Sequence, residues 1–339
     1  MMQYGNGLES MPRDAEGAPI IVTYPTFSVI ICTHNRAGYL AGCVVSLLAQ
    51  QYSSDAYEIV VVDNASTDNT PQLIEQLRAD VEAAHRLHYV LEPCLGLNRA
   101  RNTGAEAARL GILAYIDDDA QADAGWLASL ARTYQEVGHG SVCIGGRVDL
   151  WWDSGRPDWL PRELECYYSG TYHLGNAPRL LEKREYPIGT NLSLPRALLL
   201  EAGGFPHTLG RLGNSPNDEV SLCVNLRDRG VHMHYAPDAV VYHRVPAVRA
   251  TRRWLLRRAF WQGVSDVVLE EQRDLSGRAT LLRHAVGTLR HAIVDLTGIA
   301  QAQLRSSPAD AVKHAAFLAG RLGRVRQQLV LAVQWEQRR

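Results

Sequence analysis

The chain has 339 residues, 46% of them hydrophobic and 21% charged, with a formal net charge of −1. That length accommodates one large domain with an appendage, or two modest domains, and it can bury a core, while the composition excludes a disordered or collagenous chain. Near-neutrality excludes a protein that coats nucleic acid over its whole surface, and no nucleic-acid partner is expected.

Residues 1–25 are expected to be a flexible leader, being polar and without the basic-then-apolar pattern of a secretory signal. Phe27–Cys32 (FSVIIC) predicts a buried strand, Tyr39–Gln50 a helix and Tyr57–Val62 (YEIVVV) a second strand. Thr70 and Pro71 supply an N-cap and a first-turn proline for a helix running to about Ala83. Leu87–Leu91 predicts a third strand, Asn98–Arg109 a helix, Gly111–Ile116 a fourth strand and Ala124–Glu136 another helix. Such alternation implies a mostly parallel sheet with helices on both faces.

The pattern then loosens. Ser141–Leu150 predicts a strand, and Trp151–Glu185 a long functional loop rich in aromatics and punctuated by proline. Asp218–Arg229 reads as a helix, and Val231–Tyr235 and Ala239–His243 as two short strands. From Arg249 onward the chain is helical, with breaks at Leu275-Ser276-Gly277 and Ser306-Ser307-Pro308. Six scattered cysteines without a C-x-x-C pair fit reduced thiols. No stretch has the ~18–20 uninterrupted apolar residues of a membrane span. These features predict a cytoplasmic protein, at most peripheral on the inner face of the membrane.

The small net charge is a cancellation. Residues 249–339 hold 16 Lys and Arg against 7 Asp and Glu, while residues 1–248 hold 19 against 29.

In open α/β sheets ligands bind beyond the carboxyl ends of the strands. Thr33-His34-Asn35-Arg36 follows the first strand, Asp63-Asn64 opens the polar segment after the second, and Asp117-Asp118-Asp119 follows the fourth. Asp, Asn, Ser and Thr also serve turns, but three successive carboxylates call for more. Two of them ~5 Å apart repel by about 3 kcal/mol at an effective dielectric of ~20, roughly two pKa units. A divalent cation relieves this most simply, and hard oxygen ligands favour Mn²⁺ or Mg²⁺ together with phosphates. A dinucleotide dehydrogenase and a P-loop enzyme are excluded, since neither G-x-G-x-x-G after the first strand nor G-x-x-x-x-G-K-[ST] occurs.

The segments FSVIICTHNR, EIVVVDNASTDNT, GLNRARNTGA, AYIDDDA, YPIGTNLSLPRALLLEAGGF, NDEVSLCVNLRDRG and APDAVVYHRV occur in that order. Together they resemble the inverting family 2 glycosyltransferases with the GT-A fold. The resemblance implies a Rossmann-like α/β catalytic domain over 26–245, its mixed, mostly parallel sheet between helices, with 246–339 as a basic C-terminal α-helical region. It also implies a nucleotide-diphosphate sugar donor and a hydroxyl-bearing acceptor. Thr33, Asn35 and Arg36 would border the nucleoside, Asp63 would accept a hydrogen bond from the base, and Asn64, Arg101, Asn102 and Asp118 would lie near the nucleotide. Asp117 would sit near the ribose and Asp119 would be the main metal ligand, with His243 as a further metal or phosphate contact. Asn217-Asp218-Glu219 stands where the family has Glu-Asp, which makes Glu219 the first choice for the catalytic base and Asp218 the reserve. Gly189, Thr190 and Asn191 match a segment near the acceptor or the donor sugar.

Trp151, Trp152, Trp159, Tyr167, Tyr168 and Tyr172 crowd one segment, and aromatic faces suit sugar rings, with Trp159 the best acceptor candidate. The arginines at 252, 253, 257 and 258 predict either a solvated helix face or a basic amphipathic surface that binds a phosphorylated or lipid-linked acceptor at an anionic membrane. Residues 278–339 offer a face for a homo-oligomer. Two other functions stay open: a sugar-phosphate nucleotidyltransferase, which calls for a glycine-rich loop where Thr33–Arg36 stands, and a non-catalytic nucleotide-sugar-binding relative.

Overall fold

The computed structural model describes residues 25–335 apart from 80, 139, 169–172, 184, 207–217, 274 and 275, and apart from the side chains at 81, 82, 218, 272 and 273. In chain order the elements are β1 (Phe27–Thr33), α1 (Ala37–Leu48), β2 (Tyr57–Asp63), α2 (Thr70–Leu77), α3 (Val81–Ala84), β3 (Leu87–Leu91), α4 (Leu97–Ala107), β4 (Ile112–Asp117) and β5 (Ala120–Ala122). There follow α5 (Trp126–Val137), β6 (Val142–Trp152), β7 (Arg179–Leu180), β8 (Leu192–Pro195), α6 (Arg196–Glu201), α7 (Asp218–Asp228) and β9 (His232–Val245). Three long helices end the chain: α8 (Arg252–Arg273), α9 (Arg278–Leu304) and α10 (Pro308–Val333).

The strands form one mixed, mostly parallel sheet in the order β3-β2-β1-β4-β8-β6-β9-β5, with β7 pairing to β9. Successive strand residues serve opposite faces. Val29, Ile31, Ile59, Val61, Ala114 and Ile116 pack with α1 and α5 on one side. Ile30, Val60, Val62, Leu113 and Tyr115 pack with α4, α6 and α7 on the other. Such doubly buried strands explain why β1, β2 and β4 read as unbroken apolar runs.

Two expected elements take a different form. The helix from Thr70 stops at Leu77, tightened by a bond from Ala79 N–H to the Gln76 carbonyl, and α3 follows as a separate turn. Thr70 lies inside that helix: Asn69 holds the cap position, and the Asp68 carboxylate takes the Thr70 N–H and hydroxyl. The two short strands expected at 231–235 and 239–243 are one strand, β9, whose register against β6 jumps from Gly146↔Ala236 to Arg147↔Val240. The bulge absorbs Pro237, which has no N–H to give the ladder.

One buried carboxylate ties the sheet to its loops. Glu58 on β2 accepts from the Ser28 hydroxyl at 2.6 Å and from Arg109 through its backbone N–H (2.6 Å) and Nε (2.7 Å). Burial pushes its pKa up, but the bonds from Ser28 and Arg109 outweigh this and hold it below the usual value. Stability from this carboxylate is therefore present above its unfolded pKa and lost as pH falls through its folded one. Glu58→Ala is expected to cost about 2–3 kcal/mol in urea unfolding at neutral pH, because it strands donors on both sides. The gap between variant and parent should close on acidification, and a gap that stays constant to low pH would contradict the assignment.

The C-terminal helices pack as layers, α8 against the 3-10 helix Arg162–Tyr168, α10 on α8, and α9 on α10. Leu160, Leu164 and Tyr168 join Val245, Leu255, Ala259, Val312 and Ala316 in a third apolar cluster. Backbones touch where α8 crosses α10: a Cβ on Gly263 would lie 1.9 Å from the Gly320 carbonyl oxygen, and one on Gly323 1.9 Å from that of Phe260. No described helix is long and apolar enough to cross a membrane.

Candidate active site

Register brings the strand ends together. Thr33 pairs with Asp63 between β1 and β2, and Cys32 pairs with Asp117 between β1 and β4. Beyond Asp117 the chain turns through Asp118 and Asp119 into β5, which pairs antiparallel with β9, Ala120 opposite His243. That short pairing carries the His243 Nε2 to 3.2 Å from Asp119 Oδ1. β8 pairs antiparallel with β4, so the 3-10 turn Gly189–Asn191 before it lies beside Asp117, and the Thr190 hydroxyl donates to Asp117 Oδ2.

The carboxylates are heavily compensated. Arg36 Nη1 donates to Asp118 Oδ1 at 2.8 Å and to Asp119 Oδ2 at 2.9 Å, and Arg249 reaches Asp119 Oδ2 at 3.3 Å. Thr33 Oγ1 donates to Asp118 Oδ2 at 2.8 Å. Burial, opposed by Arg36 and reinforced by Asp119, pushes the Asp118 carboxyl up to about 6. His243, Arg36 and Arg249 overcome the effect of burial at Asp119 and hold it well below the carboxylate range.

The ligand atoms of Asp117, Asp119 and His243 lie within 4.8 Å of one another. The His243 Nδ1 is buried and has no hydrogen-bond partner. Two carboxylate oxygens and an imidazole nitrogen suit a hard to borderline divalent ion, so the residues present fit Mn²⁺ or Mg²⁺.

These groups line a cleft of about 780 Å³ together with Thr33, Arg36, Asn64, Arg101, Asp118, Gly189, Thr190 and Glu219. Glu219 stands in the first turn of α7, its side chain 16% exposed, 3.9 Å from Arg101 Nη1. Burial pushes its carboxyl above the ordinary value despite Arg101. Gly189 allows the turn to approach this pair: a Cβ there would lie 2.6 Å from Arg101 Nη2 and 3.6 Å from Glu219 Cδ. Asp218 opens α7, but its side chain lies outside the described residues, as do Asn217 and Tyr172.

Five residues expected at the site are not among the residues that line the cleft. Asp63 is buried and accepts from the Ser66 N–H and the Tyr89 hydroxyl, each at 2.8 Å. Burial and that bond to Asp63 push the Tyr89 phenol up to about 12. Asn35, at φ 54°, spends its side-chain Oδ1 on the Thr67 and Asp68 N–H groups. Asn102 pairs both ends of its amide with the Phe205 backbone. The buried Asn191 donates to the Arg147 and Ala239 carbonyls and accepts from the Trp126 indole, fastening the β6–β9 bulge. Trp159 is half-buried in the third apolar cluster with Arg252 over its ring at 5.7 Å, and it is not among the lining residues. Asn64 lines the cleft, yet its amide also ties the end of β2 to the loop before α4 through Glu92, Cys94 and Gly96.

The opposite wall comes from α8. Trp254, Arg257, Arg258 and Trp261, spaced i, i+3, i+4 and i+7, present one helix face to the cleft, beside Arg249, Tyr167 and Tyr168. Arg258 Nε donates to the Tyr167 carbonyl at 3.2 Å, and burial lowers its pKa against the pull of Glu219. Of the arginines expected on a solvated or acceptor-binding face, Arg257 and Arg258 line the cleft, Arg257 exposed and Arg258 partly buried. The helical spacing was visible in the sequence, but the surface it faced was not.

A mixed sheet with an acidic strand-end turn, a partner histidine and a largely buried carboxylate across the cleft defines an α/β enzyme of the GT-A class. Residues 28–199 match the family described as Glycosyl transferase family 2, and the chain belongs to that family of nucleotide-sugar glycosyltransferases. A glucosyl-dolichyl phosphate glucuronosyltransferase of Haloferax volcanii is 29% identical over 248 residues, covering 72% of this chain and 77% of the relative. The mannosyltransferase PcManGT of Pyrobaculum calidifontis, in a complex with GDP-Man and Mn²⁺, has a similar fold at TM-score 0.59 and 20% identity, over 93% of this chain and 90% of that one. Residues 1–349 of S. aureus TarS, in complex with UDP-GlcNAc, align at TM-score 0.52 and 15% identity over 93% and 92% of the two chains.

Proposed function

We propose that this glycosyltransferase is metal-dependent and inverting, with Glu219 as the base that takes the proton of an acceptor hydroxyl. The observation that carries this is one cleft holding the Asp117–Asp119–His243 cluster and, apart from it, a largely buried carboxylate of raised pKa. A base poised toward the working pH is what proton abstraction requires. Asp117, Asp119 and His243 would hold Mn²⁺ or Mg²⁺, and the bound ion supplies positive charge where the leaving diphosphate accumulates negative charge.

The chain's own groups do the rest. Arg36 and Arg249 hold Asp119 in place, and Thr33 and Arg36 orient Asp118. Arg101 pairs with Glu219 at 3.9 Å, and Gly189 leaves room for that pair. Thr33, Arg36 and Asn64 form the nucleoside side, with Asp63, Asn35 and Asn102 shaping the loops behind it. On the α8 side, Trp254, Trp261, Tyr167 and Tyr168 offer ring faces to an acceptor sugar, and Arg257 offers a charge-assisted donor to phosphate. The Haloferax relative is named for glucosyl-dolichyl phosphate, and a phosphate-linked saccharide acceptor suits this wall.

Thermal-shift titration with UDP, GDP, dTDP and CMP, each with Mn²⁺, Mg²⁺ or EDTA, tests the reading. One nucleoside diphosphate is expected to stabilise the protein only with metal, by about 2.7 kcal/mol at a hundredfold excess over Kd. Stabilisation by no nucleotide–metal pair would overturn it.

A further inference from the structure

We propose that the outer face of α9 docks on an anionic membrane surface. Leu282, Val286, Leu289, Ile293 and Leu296 follow the spacing i, i+4, i+7, i+11 and i+14, which places them in one line along a helix. They are between 41% (Leu282) and 61% (Ile293) exposed. Arg283 and Arg290 each follow a stripe residue by one position, so they form a parallel exposed row along one edge. The other edge turns Leu281, Ala285 and Ala292 inward, where α9 packs on α10.

Charge decides what covers this face. Asp295 is the lone acid of α9, and it is buried against Arg321, 2.8 Å away, and His314. A second copy joined by two-fold symmetry would set the stripe and its arginine row against themselves, with no exposed acid on α9 to pair the arginines. An anionic bilayer supplies both missing parts: a negative surface for the arginines and an apolar boundary for the stripe. α9 is about 40 Å long, so the contact is a lengthwise one in the plane of the surface. The inference does not rest on the transferase reading, and its test reads binding alone.

The full chain is sedimented with vesicles of phosphatidylcholine, with or without phosphatidylglycerol. Binding is expected only with phosphatidylglycerol, weakening as salt rises. Arg283→Gln with Arg290→Gln should weaken partitioning about 30-fold, at roughly 1 kcal/mol for each basic residue at the surface. Val286→Asn with Ile293→Asn should weaken it about tenfold or more. Both pairs lie outside the core, and an unchanged Tm checks that the fold is kept. Absence of binding to phosphatidylglycerol vesicles at low salt overturns the proposal, as does binding that neither double variant reduces. So does a dimer, seen by light scattering, that Val286→Asn with Ile293→Asn dissociates, since a second copy would then be the occupant.

Discussion

Glu219→Gln is expected to lower the rate of sugar transfer by about 10²–10⁴, the usual contribution of a positioned general base. Nucleotide binding should survive, because Glu219 belongs to the Arg101 and Gly189 side of the cleft and not to the acidic turn. Burial raises the Glu219 carboxyl, so the parent rate should fall on acidification at a pH above the ordinary glutamate range. The residual rate of the variant should lack that limb. For stability the sign runs the other way. A carboxyl whose folded pKa is raised favours the fold while protonated and opposes it once ionised. At neutral pH the glutamine variant should therefore be at least as stable as the parent. Transfer near the parental rate would remove Glu219 as the base and turn attention to Asp218.

Asp119→Asn should act on the donor side. The parent carboxylate joins Arg36, Arg249 and His243, and Arg36 keeps its bond to Asp118 when that charge is removed. The fold should persist while metal-dependent stabilisation by nucleotide disappears, leaving the same Tm with Mn²⁺ as with EDTA. Transfer should drop by about 10²–10³, the range for losing one electrostatic stabiliser of the developing charge. A variant that keeps the full metal-dependent shift would place the ion elsewhere.

The large strands were legible because β1, β2 and β4 are buried on both faces and so are written as apolar runs. β5, β8 and α6 were not, because three to six residues carry too little periodicity to be told from a turn. Their identity comes from partners: β5 is a strand because β9 lies beside it. That pairing also brings His243 to Asp119 across more than a hundred residues, a neighbourhood that spacing alone does not reveal. The acidic turn was legible for the opposite reason, since adjacent like charges need an explanation wherever they fold. Polar residues near it divided less cleanly. Asn102 and Asn191 have the chemistry of ligand contacts, yet their amides are spent on backbone groups, an outcome set by which loops the fold brings beside them.

The crossing of α8 over α10 carries a last consequence. Gly263 and Gly323 leave no side-chain thickness between the two backbones there, so α8 has little room to slide or roll without collision. The same helix holds Trp254, Arg257, Arg258 and Trp261 against the cleft. A methyl group at the crossing, remote from any reacting atom, would thus act like a shim under one jaw of a vice. The width of the cleft on the α8 side is gauged at a contact that lies outside the cleft.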